Sequence, residues 1–355
     1  MSASILDDEK RLTVVDKEGE LQAIESYPTS LSSFLAGLGS HQGRGAEEVV
    51  IAGMGGSAIS GDYLDNWLYT TSGVPVYVWR DYGLPSFVDA KSLVVTISYS
   101  GNTEETISAA REAMKRGANV YGVTSGGALA QLLGKDRIYL VPAGMQPRVA
   151  LPFLFAAAAK ALHDQWVIGD DQWSEVMGLP SVLDRAISAV GHKIPYEQNE
   201  SKKLAEEMNG HLPVIYGYGI YRSVARRFKT QVNENAKAPA KFEEFPELDH
   251  NEIEGWDGGD SILKDFYIIS VRDEEMEEPY LSRIGITMSE ISQKAGGFHE
   301  LVASGKTPLE KMFDVTLKGD LASVYLAILR GVDPSPVSMI ESLKRRLAEV
   351  KARGD

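Results

Sequence analysis

The chain has 355 residues, is 43% apolar and carries a formal net charge of −14, which allows a sizeable core and argues against a broad nucleic-acid or anionic-membrane surface. With no cysteine there is neither disulfide nor thiolate chemistry. The six histidines, His41, His163, His192, His211, His250 and His299, lack ligand-like spacing, so no metal is expected.

Residues 1–44 read as an N-terminal helical extension. Its start, Met1-Ser2-Ala3-Ser4-Ile5-Leu6-Asp7-Asp8, has neither the basic flank nor the apolar core of an export leader, so a cytoplasmic protein is expected. Val49-Val50-Ile51-Ala52 is the first buried strand, followed by a helix over 62–70 and strands over 74–79 and 93–98. A helix over 103–116 ends at Gly117, placed as a C-cap glycine, and strands follow at 120–124 and 138–141. The apolar stretch 150–162 contains Pro152 and Lys160; it is too short and interrupted to span a membrane and reads as a buried helix. This alternation predicts one doubly wound unit over 45–165.

Residues 166–210 are polar and read as a connection, with helical pieces at 181–190 and 201–209. A second alternation occupies 211–355: strand 214–218, helix 221–236, short strand 242–245, strand 266–271, helix 279–294, strand 298–302 and long helix 309–329. The long helix is apolar enough for internal packing or for a subunit interface. An amphipathic helix over 336–352 follows Asp333-Pro334-Ser335-Pro336. The predicted fold class is α/β: two doubly wound units with parallel sheets flanked by helices. The duplication is one of architecture, with no residue-level repeat.

Two turns carry the chemistry. Gly53-Met54-Gly55-Gly56-Ser57-Ala58 follows the first strand, and Ser98-Tyr99-Ser100-Gly101-Asn102-Thr103-Glu104-Glu105-Thr106 follows the third. Glycines let a backbone approach an anion closely, the helix start supplies free N–H groups, and the hydroxyls add donors. Such a pair suits a phosphate monoester held from both sides. The first turn also fits the dinucleotide pattern Gly-x-Gly-x-x-Ala, with Asp81 as a ribose acceptor, which leaves a nicotinamide-dependent dehydrogenase as one alternative. Neither turn carries the Gly-Lys-Ser/Thr ending of a P-loop. The second turn alone is also explained as a helix start capped by Asn102, with Glu105 closing a capping box.

Met54-Gly55-Gly56-Ser57 and the Ser98–Thr106 turn together resemble the sugar isomerase (SIS) domain, whose members bind phosphosugars. Four further stretches narrow the resemblance: Gln146-Pro147-Arg148, Asn233-Glu234-Asn235-Ala236-Lys237, Pro246-Glu247-Leu248-Asp249-His250-Asn251-Glu252, and Gly319-Asp320-Leu321-Ala322-Ser323-Val324-Tyr325-Leu326-Ala327 with Gly331-Val332-Asp333-Pro334. They resemble the bifunctional phosphoglucose/phosphomannose isomerases of archaea and some bacteria, from about residue 45 to the C-terminus. The N-terminal forty residues and 164–210 match nothing distinctive.

The resemblance implies a metal-free aldose–ketose isomerase acting on glucose 6-phosphate, mannose 6-phosphate and fructose 6-phosphate. In that reading Glu234 is the base that carries a proton between C2 and C1, and Arg148 stabilises the enediolate. His250 opens the sugar ring, reaching the site from the neighbouring subunit of a homodimer, and Lys344 assists. Gly56, Ser57, Ser98, Ser100 and Thr103 hold the 6-phosphate, whose binding orients the reacting carbons. The other alternative is a non-catalytic sugar-phosphate sensor, although no basic DNA-binding module accompanies the turns.

Overall fold

The structure is a computed structural model that describes residues 4–259 and 261–354. Met1, Ser2 and Ala3, part of the segment read for an export leader, lie outside the described residues. Three helices come first: α1 (Glu9–Val15), α2 (Glu20–Glu25) and α3 (Tyr27–Gly37). The first sheet is built from β1 (Glu48–Gly53), β2 (Val76–Trp79), β3 (Ser92–Ile97), β4 (Asn119–Thr124) and β5 (Ile138–Leu140). Its helices are α4 (Gly55–Leu68), α5 (Glu104–Lys115), α6 (Gly127–Leu133) and α7 (Leu151–Asp164). Then follow α8 (Asp170–Val190) and α9 (Glu200–Met208).

The second sheet contains β6 (Leu212–Gly217), β7 (Lys241–Glu244), β8 (Phe266–Asp273) and β9 (Gly297–Ala303). It is accompanied by α10 (Arg222–Asn235), α11 (Glu252–Gly255), α12 (Tyr280–Ile291), α13 (Pro308–Arg330) and α14 (Ser338–Gly354). All pairings are parallel, in the orders β2-β1-β3-β4-β5 and β7-β6-β8-β9. The four strands of the second sheet therefore repeat the order of the first four strands of the other.

A residue-level trace of that duplication survives, contrary to the sequence reading. Gly53-Met54-Gly55 after β1 and Gly217-Tyr218-Gly219 after β6 have the same conformation: Met54 at φ −129°, ψ 151°, Tyr218 at φ −137°, ψ 159°, and the following glycines at φ +52° and +50°. Only glycine adopts that last angle without strain. Two glycines two positions apart were too little to register as a repeat.

Helices α4, α7, α10 and α13 pack together between the sheets, and α13 also covers α8 and α9. α13 is buried from Leu309 to Ile328 except at Glu310 and Lys311, so it is covered on every side, and its polar residues such as Asp320 and Ser323 are buried with it. Internal packing accounts for it. Gly319 allows a close approach where α13 meets α10: a Cβ there would sit 3.1 Å from the Phe228 ring. α8 runs as one helix through Pro180, whereas the sequence suggested only its second half; buried Leu179, Val182, Leu183, Ala186 and Val190 hold it against the core. No helix of the described residues is long and apolar enough to cross a membrane.

Candidate active site

The two hydroxyl-bearing turns leave the C-terminal ends of adjacent strands, with Gly53 in register with Ile97. Between β1 and β3 the connections run to opposite sides, which opens a crevice where α/β sheets bind ligands. The amides of Ser57 and Ala58 close on the Met54 carbonyl at 3.1 and 3.3 Å, leaving those of Gly55 and Gly56 at the open end of α4. Ser57 Oγ accepts from the Tyr99 amide at 3.2 Å and so joins one turn to the other. Ser98 and Thr103 pair through their hydroxyls at 2.9 Å, and Ser100 Oγ accepts from the Asn102 amide at 3.3 Å. The five residues expected to hold phosphate thus lie on these two linked turns.

Capping of α5 differs from the sequence reading. Thr103 is the N-cap, and Asn102 instead accepts from the Ala128 amide at 3.1 Å through Oδ1. The reason is the close approach of two loops: a Cβ on Gly127 would meet the Ser100 carbonyl at 2.3 Å and one on Gly101 the Gly126 carbonyl at 1.8 Å. That contact draws the Asn102 side chain away from its own helix.

Arg148 lies against the first turn. A Cβ on Gly56 would be 3.3 Å from Arg148 Cα and 3.4 Å from its amide nitrogen, so glycine is needed there for close approach. The Arg148 side chain is 2% exposed. Its Nε donates to Glu20 Oε1 at 3.0 Å and to Asn235 Oδ1, and its Nη2 donates to Glu20 Oε2 and to the carbonyls of Pro334 and Ser335 at 2.8 and 3.2 Å. Among the described residues Nη1 makes no hydrogen bond, and it lies 3.9 Å from Glu234 Oε2. Glu234, at the end of α10, is 27% exposed, so its carboxylate is reachable from solvent beside a buried guanidinium.

Surrounding residues come from the motifs that the sequence singled out. Asn235 Nδ2 donates to Ser323 Oγ at 2.9 Å. Arg227 pairs with buried Asp320 and donates to the Arg148 carbonyl at 2.9 Å. Lys237, left-handed at φ +52°, donates to the Pro334 carbonyl at 2.7 Å and to the Glu234 carbonyl. Burial, then the Arg148 charge, push its ammonium pKa down. Burial pushes the Glu20 carboxyl up, against the opposing pull of Arg148.

Within one chain the arrangement joins two linked hydroxyl-bearing turns, a buried guanidinium whose Nη1 has no hydrogen-bond partner among the described residues, and an accessible carboxylate. It does not bring in the other two expected residues. His250 ends the helical turn Glu247–His250 and is exposed; Lys344 is exposed on α14. Among the described residues, no hydrogen bond or ion pair joins either one to Glu234 or Arg148. The sequence reading missed Glu20 and Ser335. Ser335 sits beside a quoted motif and could have been included; nothing in the pattern around Glu20 points across 128 residues to Arg148.

The model of the SIS domain matches residues 44–159, and that of the bacterial phospho-glucose isomerase C-terminal SIS domain matches 197–347. A bifunctional phosphoglucose/phosphomannose isomerase of Caldicellulosiruptor bescii is 39% identical over 310 residues, covering 86% of this chain and 91% of the relative. One from Thermoplasma volcanium is 40% identical over 307 residues, 85% and 92% of the two chains. The solved C-terminal domain of glucosamine-fructose-6-phosphate aminotransferase from Francisella tularensis aligns with TM-score 0.66 at 17% identity, over 89% of this chain and 98% of that one. That likeness is one of fold. With identities of this order across most of both sequences, the chain belongs to the bifunctional phosphoglucose/phosphomannose isomerase family.

Proposed function

We propose that the chain interconverts glucose 6-phosphate and mannose 6-phosphate with fructose 6-phosphate. The observation that carries this reading is the Arg148–Glu234 pair, with its unbonded Nη1, set directly against the Gly56 turn. Gly56, Ser57, Ser98, Ser100 and Thr103 hold the 6-phosphate, which places C1 and C2 of the open-chain sugar an arginine's length away, beside Glu234. The Glu234 carboxylate takes the proton from C2 and returns it to C1. Arg148 Nη1–H donates to the oxygen on which enediolate charge develops, a donor held in place before the charge forms. The cis-enediolate collapses to aldose or ketose according to which carbon is protonated. None of these transfers calls for a metal.

Ring opening needs a group that moves a proton between the ring oxygen and the C1 hydroxyl, and we assign this to His250 of a second copy, assisted by Lys344. Exposure of His250 supports that assignment. So does α14, on which Met339, Leu343, Leu347 and Val350 form an exposed apolar stripe 54–87% accessible in the single chain. We place the homodimer in the cytoplasm and divide the chain into residues 1–44, 45–165, 166–210 and 211–355; the matched segment 44–159 supports the second unit, whereas the other, 197–347, begins inside the proposed connection.

Coupled assays on glucose 6-phosphate and mannose 6-phosphate test the reading. Glu234→Gln keeps the shape of the base and should lose at least about a hundredfold in kcat on both substrates; wild-type turnover would remove the assigned base. Mixing inactive Glu234→Gln with inactive His250→Ala subunits should restore activity, because one of the two sites in a hybrid dimer is then intact. Binding without turnover by the wild-type protein would favour the sensor.

A further inference from the structure

We infer that Glu20 of the N-terminal helices is a positioning residue for Arg148, so that the segment before the first sheet is part of the active site. The inference rests on the isomerase reading above for its kinetic consequence, not for its geometry.

Arginine has five N–H donors in a rigid fork. Glu20, 3% exposed, occupies one edge of that fork, accepting from Nε at 3.0 Å and from Nη2. Asn235 and the Pro334 and Ser335 carbonyls take further contacts at Nε and Nη2. Among the described residues the hydrogen bonds of the Arg148 side chain all fall on these two nitrogens, and Nη1 is left toward Glu234. A bidentate carboxylate fixes the plane of a guanidinium as well as its position. Without it, the group would rotate about its own side-chain torsions, and Nη1 would lose its aim.

Glu20 is itself held. Asp16 accepts from the Glu20 and Leu21 amides at 2.8 and 2.9 Å, tying down the start of α2. Ser335 Oγ donates to Glu20 Oε2 at 3.2 Å. The next helix is anchored beside the same loop, where Tyr27 donates from its hydroxyl to the Val149 carbonyl at 2.7 Å. The N-terminal segment thus grips both the side chain of residue 148 and the backbone of residue 149. Glu20 also cancels the Arg148 charge when the site is empty of substrate, so what the arginine offers an enediolate is a fixed dipole and one oriented donor.

The test uses the full chain and fructose 6-phosphate. Glu20→Gln keeps the side-chain shape but removes the charge and one acceptor oxygen, and should lower kcat about tenfold to a hundredfold with KM within about twofold. If Glu20 acts through Arg148, the same change made in an Arg148→Lys background should cost less than about threefold more. A merely structural role would lower the amount of folded protein and leave kcat per folded molecule unchanged. Wild-type kcat in Glu20→Gln, or full multiplication of the two losses, overturns the proposal. Ser335→Ala, which removes only the hydroxyl donor to Glu20, decides the matter if Glu20→Gln does not fold: a several-fold fall in kcat at constant KM supports it, and no fall overturns it. A crystal structure of whichever variant folds should show the Arg148 guanidinium turned from its wild-type plane. An unmoved guanidinium refutes positioning whether or not the protein isomerises sugars, whereas an inactive wild type with a displaced guanidinium in the variant refutes the isomerase reading alone.

Discussion

Replacing Asp320 by alanine should be among the most damaging single changes in the interior, for reasons that can be worked through. Asp320 accepts from Arg227 Nε at 2.9 Å and from Nη2 at 2.7 Å, with the two side chains 3% and 2% exposed. Burial pushes the Asp320 carboxyl up against the pull of Arg227. Burial also works against the Arg227 charge, but Asp320 more than offsets it and leaves the guanidinium pKa raised. Two short, parallel, charge-assisted bonds favour the ionised pair. Without Asp320 the guanidinium stays buried with the Arg148 carbonyl as its remaining acceptor, and breaking such a pair costs about 3–5 kcal/mol. At about 2 °C per kcal/mol for a chain of this size, Tm should fall by roughly 6–10 °C. Arg227→Met with Asp320→Leu removes both charges at similar volume and should recover all but about 1–2 kcal/mol. The double variant should still turn over slowly, because Arg227 no longer supports the Arg148 backbone. Thermal and urea unfolding read the first effect, and the coupled assay reads the second. An Asp320→Ala protein within about 1 kcal/mol of wild type, or a double variant that loses the sum of its parts, would refute this account of the pair.

Two further expectations concern the loops and the sheet edge. Gly101 combines φ +68° with a Cβ position 1.8 Å from the Gly126 carbonyl, so Gly101→Ala must displace the 125–127 loop; it should cost at least about 3 kcal/mol and weaken phosphate binding, read by urea unfolding and by KM, and a neutral outcome on both counts rules out the loop contact. Arg272 of β8 chelates Glu300 of β9 at 2.8 and 2.9 Å and holds its carboxyl pKa below the ordinary range. A depressed carboxyl contributes stability above its unfolded value and loses it as pH falls through the lower folded one. Glu300→Gln, which is partly exposed, should therefore cost less than about 1 kcal/mol at neutral pH and nothing once the pH is below the folded value; an equal cost at both pH values contradicts the assignment.

The parts of this molecule that sequence could reveal are those whose physics is local. The apolar runs at 49–52 and 93–97 became β1 and β3 because a strand buried on both faces reads as a near-continuous apolar run, and the hydroxyl within them, Thr96, donates to the Tyr121 carbonyl at 3.0 Å. The glycine and hydroxyl turns were legible because their chemistry lies within a few consecutive residues. Helix α4 begins at Gly55 rather than near residue 62: the glycines that read as interrupting a helix stand at its start, with Gly55 left-handed at φ +52°. Asn102 was misread because a loop more than twenty residues away competes for its side chain. Glu20 was invisible for a related reason: a lone glutamate in a short helix looks solvated until the fold buries it against an arginine from another part of the chain.

Arg148 is clasped by residue 20 near one end of the polypeptide and by residues 334 and 335 near the other. Residue 20 is synthesised long before residues 334 and 335, so a nascent chain can complete its first sheet yet cannot assemble this centre until the later segment has emerged. A fragment spanning only β1 to β9 keeps every strand yet leaves the Arg148 guanidinium without these acceptors.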